Sequence, residues 1–146
     1  MIAHNMTYDD RNPERARAAP YGLEPSVTER IVAYIEQNYA SPISLRHVAD
    51  AFGYSTCHLT HSFSRTTGTP ITAWIIRRRI AAAQQLLGEG NVDVATACEA
   101  VGFNDLCYFT RQFVRHVGMT PGRFRAAMNG GARASRQGRE SLGRTQ

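Results

Sequence analysis

Lysine is absent from this chain: all 17 basic side chains are arginine. Cysteine is scarce, and an odd number, three, at spacings that match no disulfide framework fits a reducing cytosol better than a secreted scaffold. No apolar run approaches the ~20 residues that cross a bilayer. The amino terminus, MIAHNMTYDDRNPERARAAP, lacks the apolar core of a secretory signal. A cytoplasmic chain without a membrane partner is therefore expected. Glycine-rich phosphate loops, paired carboxylates and nucleophile–base spacings are also missing from the segments patterned as ordered, so neither an enzyme nor a cofactor is expected. Acids are in the minority, 12 against 17 bases, and the net charge of +5 and pI of about 9.6 favour an acidic partner.

What is present is a repeat. In the stretch from Val92 to Arg125, Val94, Ala97, Cys98 and Val101 fall at i, i+3, i+4 and i+7, one apolar stripe of a helix. Gly102 supplies a left-handed turn position, Asn104 or Asp105 can cap the next helix, and Phe109 and Phe113 sit one turn apart within it. About fifty residues earlier the grammar is the same. Leu45, Val48, Ala49 and Phe52 repeat the first stripe, Gly53 the turn, Ser55 the cap, and Leu59 and Phe63 the second stripe. Cys57 answers Cys107, Thr60 answers Thr110, Arg65 answers Arg115 and Gly68 answers Gly118, with one inserted residue after the second turn. Two copies divided by a long helix are too few for a solenoid. They predict an all-α chain with two helix-turn-helix units in tandem, each small enough to need bracing.

Taken in order, residues 1–25 are polar and broken by Pro13, Pro20 and Pro25, which predicts a flexible leader with a short helical piece around Glu14–Ala19. Ser26-Val-Thr-Glu29 reads as a capping box opening a helix to about Tyr39, with Val27, Ile31, Tyr34 and Ile35 on one face. The first helix-turn-helix subdomain occupies 26–69, with Pro42 as breaker and Ser44 as cap. A linker helix follows over 70–88, its apolar face running from Ile71, Trp74 and Ile75 through Ile80, Ala83, Leu86 and Leu87 to a stop at Gly88. At about 27 Å, against about 34 Å between successive turns of one DNA face, it could hold two reading helices in adjacent major grooves; packing the units together is its plainer role. The second subdomain spans 89–128 and ends in a short helix opened by Thr120-Pro121 and buried through Phe124 and Met128. Residues 129–146 read as a disordered basic tail, with Arg133, Arg136, Arg139 and Arg144 against Glu140.

From about Ser26 to Met128 the chain resembles the DNA-binding domain of the AraC/XylS family of bacterial transcription regulators. The matching runs are SLRHVADAFGYS, HLTHSFSRTTG, WIIRRRIAAAQQLL and GFNDLCYFTRQFVRHVGMTPGRFR. The resemblance implies seven helices in two homeodomain-like units joined by the long helix, each unit placing its second helix in a major groove. It implies double-stranded DNA as partner, contact with RNA polymerase, activation of transcription, and binding as a monomer. Many members carry a ligand-sensing domain upstream. Only about 25 residues precede the domain here, which points to the small stand-alone members or to a truncated regulator, and leaves no inducer specified.

At 100° per residue, the face of the first reading helix away from its core holds Cys57, Thr60, His61, Ser64 and Arg65. In the second unit it holds Cys107, Thr110, Arg111, Val114 and Arg115, with Leu106 at the entrance. The resemblance places base contacts early in these helices, which assigns base reading to Thr56, Cys57, Thr60, His61, Leu106, Cys107, Thr110 and Arg111. Arg111 is the strongest of these, because a guanidinium can bond guanine O6 and N7 together. Ser64, Arg65, Arg115, Arg77 and Arg78 are phosphate candidates, whereas Arg79 reads as a buried structural residue. Cys57, His58 and His61 lack the loop-spaced pairs of a closed zinc site, so no metal is expected. Cys98 lies on a core stripe. A redox role for Cys57 and Cys107, and nucleoid-type binding without sequence preference, are the alternatives that the residues leave open.

Overall fold

A computed structural model describes residue 23 and residues 25–141, with side chains described at Leu23 and over 26–131. Among the described residues the secondary structure is entirely helical: α1 Pro25–Asn38, α2 Leu45–Phe52, α3 Thr56–Thr67, α4 Ile71–Glu89, α5 Val94–Ala100, α6 Leu106–Val117 and α7 Pro121–Ser141. The chain divides into two compact units, Met1–Ile76 and Arg77–Gln146. The boundary falls inside α4, the helix expected over 70–88.

The first unit is built on Ile31 and Ile35 of α1, Val48 and Ala49 of α2, Leu59 and Phe63 of α3, and Ile71 and Ile75 from the start of α4, all buried. Their spacing is the apolar stripe of the sequence, and full burial of each large member contributes roughly 1.5–3 kcal/mol. Between α2 and α3 the chain must reverse within three residues. Gly53 does this at φ 71°, a left-handed backbone that costs a side-chain-bearing residue about 1–2 kcal/mol. Ser44 caps α2, with His47 Nδ1 accepting from the Ser44 backbone N–H at 3.2 Å. Ser55 caps α3, its hydroxyl oxygen accepting from the His58 N–H at 3.1 Å.

The second unit repeats this plan more fully than the helix-turn-helix stripes alone suggest. Gly102 turns the chain at φ 94°, and the Phe103 N–H closes the end of α5 on the Cys98 carbonyl at 3.0 Å. Phe63 meets Trp74 edge-on at 5.7 Å in the first unit, and Phe113 meets Phe124 at 5.6 Å in the second, both pairs fifty residues apart in sequence. Arg30 lies over the Phe52 ring at 5.6 Å, and Arg79 over Phe103 at 5.7 Å. Ile31 and Ile80 are both buried. The later part of α4 therefore serves the second unit as α1 serves the first, and the start of α7 takes the place that the start of α4 takes.

Several expectations are corrected. Ser26 lies inside α1, which begins at Pro25; proline suits the first helical position, where no N–H is needed. Leu23, assigned to the leader, is buried in the first core, and its N–H donates to Thr66 Oγ1 at 3.0 Å. The rest of the leader, including Glu14–Ala19, lies outside the described residues. Gly88 does not stop α4. The helix runs on to Glu89, and Gly90, at φ 76°, ends it. Helix α7 does not end at Met128 but continues to Ser141, since no proline follows Pro121 to interrupt it; residues 142–146 lie outside the described residues. Met128 itself is 49% exposed.

Candidate nucleic-acid interface

Helices α3 and α6 each turn one face to their own core and leave the other to solvent. On α3, Leu59, Ser62 and Phe63 are buried, whereas Thr56, Cys57, Thr60, His61 and Arg65 are exposed and Ser64 is half-buried. On α6, Phe109 and Phe113 are fully buried, whereas Leu106, Cys107, Arg111, Val114 and Arg115 are exposed and Thr110 is half-buried. Each unit therefore gathers its own sequence-predicted reading residues onto one outward strip.

Backbone chemistry sets how these side chains are displayed. Thr60 Oγ1 donates to the Thr56 carbonyl at 2.7 Å, and Thr110 Oγ1 donates to the Leu106 carbonyl at 2.8 Å. With its proton committed, each hydroxyl can only accept from a ligand. The two helix entrances differ in charge. Ser55 caps α3 with a neutral hydroxyl, while the Asp105 carboxylate caps α6, its Oδ1 accepting from the Cys107 and Tyr108 N–H groups at 2.8 and 3.0 Å. The negative cap offsets the positive dipole end of α6 and leaves that of α3 available.

The faces also differ in polarity. That of α3 is hydroxylic and imidazole-bearing, whereas α6 exposes Leu106 at 46% and Val114 at 39% beside Arg111. Apolar side chains held out of the core in this way suit thymine methyl groups. Arg77 is exposed and Arg78 half-buried. Burial, followed by the charges of Arg115 and Arg77, holds the His116 imidazole below its ordinary value, so Arg77 of α4 and Arg115 of α6 contribute to one positive region.

Arg79 is half-buried over Phe103, as a structural residue would be. The residues Cys57, His58 and His61 do not converge: the His58 ring stacks on Tyr54 at 5.2 Å, with its Nε2 3.5 Å from Ser62 Oγ, while Cys57 and His61 face solvent. The sequence reading missed Tyr108, 37% exposed at the third position of α6. Its place one residue before the core stripe was the signal in the sequence that could have found it. Cys98 is buried, and desolvation together with Glu99 and Asp105 pushes its thiol up.

Two helices with matching outward faces on helix-turn-helix units define an all-α DNA-binding class of fold. The family described as "Helix-turn-helix domain" matches residues 48–127, from α2 into α7. The chain is 33% identical over 95 residues to the multiple antibiotic resistance protein MarA of Escherichia coli, covering 65% of this chain and 75% of MarA. It is 33% identical over 97 residues to the virulence regulon transcriptional activator VirF of Yersinia enterocolitica, covering 66% of this chain but 36% of VirF. The chain thus spans about a third of the virulence regulator's length. The crystal structure of a probable AraC family transcriptional regulator from Rhodopseudomonas palustris superposes with a TM-score of 0.65 at 26% identity, over 70% of this chain and 97% of that one. The chain belongs to the AraC-type helix-turn-helix family of transcription regulators. No described helix is long and apolar enough to cross a membrane.

Proposed function

We propose that this protein is a sequence-specific, double-stranded-DNA-binding transcription regulator that lays α3 and α6 in two major-groove segments, acting as a monomer. The observation that carries the reading is the duplicated outward strip: two equivalent helices, each with a back-bonded threonine and a cysteine in matching positions, neither buried by its own unit. Thr56, Cys57, Thr60 and His61 read one segment, and Leu106, Cys107, Thr110 and Arg111 read the other. Ser64, Arg65, Arg77, Arg78 and Arg115 hold the phosphates, which fixes register without carrying sequence information. Activation is the regulatory sense, supported by the activator named among the relatives, and contact with RNA polymerase is the proposed route to it. The protein acts in the cytoplasm and carries out no chemistry of its own.

A selected duplex competed with random DNA at matched salt tests the reading. A preference of ~10³-fold or more is expected, and equal competition would replace it with nucleoid-type binding, which the arginine excess after Met128 would favour. Arg111→Ala is expected to cost about 1–3 kcal/mol of discrimination at a single base pair, measured as relaxed preference there alone. Uniform weakening across all sequences would move Arg111 to the phosphates.

A further inference from the structure

The mouth of α6 carries an aromatic that neither the core nor the reading strip accounts for. Tyr108 is 37% exposed although Phe103, its ring partner, and Phe109, the next residue, are buried. Its backbone is fixed by Asp105, and its ring leans on Phe103 at 5.9 Å and 58°. The Arg79 guanidinium, carried by α4, lies 5.7 Å from the same Phe103 ring. We propose that Tyr108 is a phosphate-contacting residue of the second unit, its hydroxyl presented to the DNA backbone from a seat made by Phe103 and Arg79. This rests on the DNA-binding reading above.

The chemistry favours a phosphate over a base for two reasons. A phenol O–H is a donor only at its single proton, and an anionic phosphate oxygen accepts it in a charge-assisted hydrogen bond stronger than one to a neutral base edge. Tyr108 and Arg115 are also seven residues apart, which on a straight helix separates them by only ~20°. Tyr108 therefore lies on the same flank as a phosphate candidate, beside rather than within the strip of Leu106, Cys107, Thr110 and Arg111. The seat is particular to this unit. Its counterpart His58 stacks closely on Tyr54 and turns its Nε2 toward Ser62.

Tyr108→Phe tests the assignment, because the ring and its packing remain and only the hydroxyl is lost. On a selected duplex its Kd is expected to rise about tenfold, the size of a lost hydrogen bond to a charged group, with unchanged base preferences, salt slope and thermal midpoint. A scan of single methylphosphonate substitutions should find one position at which wild type and variant bind alike. Wild-type affinity in the variant would overturn the proposal, as would loss of preference at one base pair or the lack of any such position. Failure of the wild-type protein to bind duplex would instead overturn the DNA-binding reading itself.

Discussion

At the residue scale, the same side chain does different work according to what its neighbours bury. Cys57, Cys98 and Cys107 are all unbridged, but Cys98 is enclosed and its Sγ lies 3.7 Å from the Phe103 carbonyl. Thiolate is the reactive form, so iodoacetamide should label Cys57 and Cys107 in the native protein and Cys98 only after unfolding; mass spectrometry reads this directly. Bound DNA should shield the first two. Rapid native labelling of Cys98 would contradict its enclosure. Gly90 offers a second residue-level test. An alanine there must adopt a left-handed backbone and also meet the Asn129 amide, whereas at Gly118 nothing lies within 4 Å of the added carbon. Gly118→Ala should cost about 1–2 kcal/mol for the backbone alone. Gly90→Ala should cost more, and adding Asn129→Ala should recover part of the excess in urea titrations.

At the element scale, caps and aromatic pairs decide where each helix starts and what it packs on. Asp93 opens α5, its Oδ1 accepting from the Thr96 N–H at 2.7 Å. Hydrogen bonds from Thr96, with a smaller contribution from Arg125, hold the Asp93 carboxyl below its ordinary value. A carboxyl whose value is lower in the folded protein adds stability above the ordinary carboxylate range and loses it as pH falls through that range. Asp93→Asn should therefore make the urea midpoint less sensitive to a change from about pH 6 to about pH 3. The recurring stripes, glycine turns and caps made α2, α3, α5 and α6 legible in sequence, because each is coded within a few residues. The partners of these helices were less legible. That Trp74 and Phe124 are equivalent, each closing on a phenylalanine of the preceding helix, α3 or α6, is a tertiary fact masked by the change of residue type. Gly88 misled because a glycine inside a helix costs only about 1 kcal/mol, which packing can absorb. Glycines at 130, 131 and 138 misled in the same way about α7.

At the scale of the whole molecule, two units of one plan carry unlike outward faces: hydroxyls and an imidazole on α3, and exposed apolar groups with an arginine on α6. The strip residues could be placed from helical spacing alone, since Leu59 and Phe63, or Phe109 and Phe113, fix which way each helix turns. Tyr108 was passed over because it lies just outside the strip that those core residues define, on the flank beside Arg111 and Arg115, and Leu23 because scattered apolar residues in a polar leader have no period. The unlike faces predict unlike half-sites and hence an asymmetric operator bound by one molecule. Selection of bound duplexes from a random pool of ~30 base pairs, repeated across a salt series, is the most direct measurement. Two different short motifs should be enriched, about one helical turn or 10–10.5 base pairs apart, with one protein per duplex. Binding without enrichment and with a steep salt slope, or enrichment of a palindrome occupied by two molecules, would contradict the account.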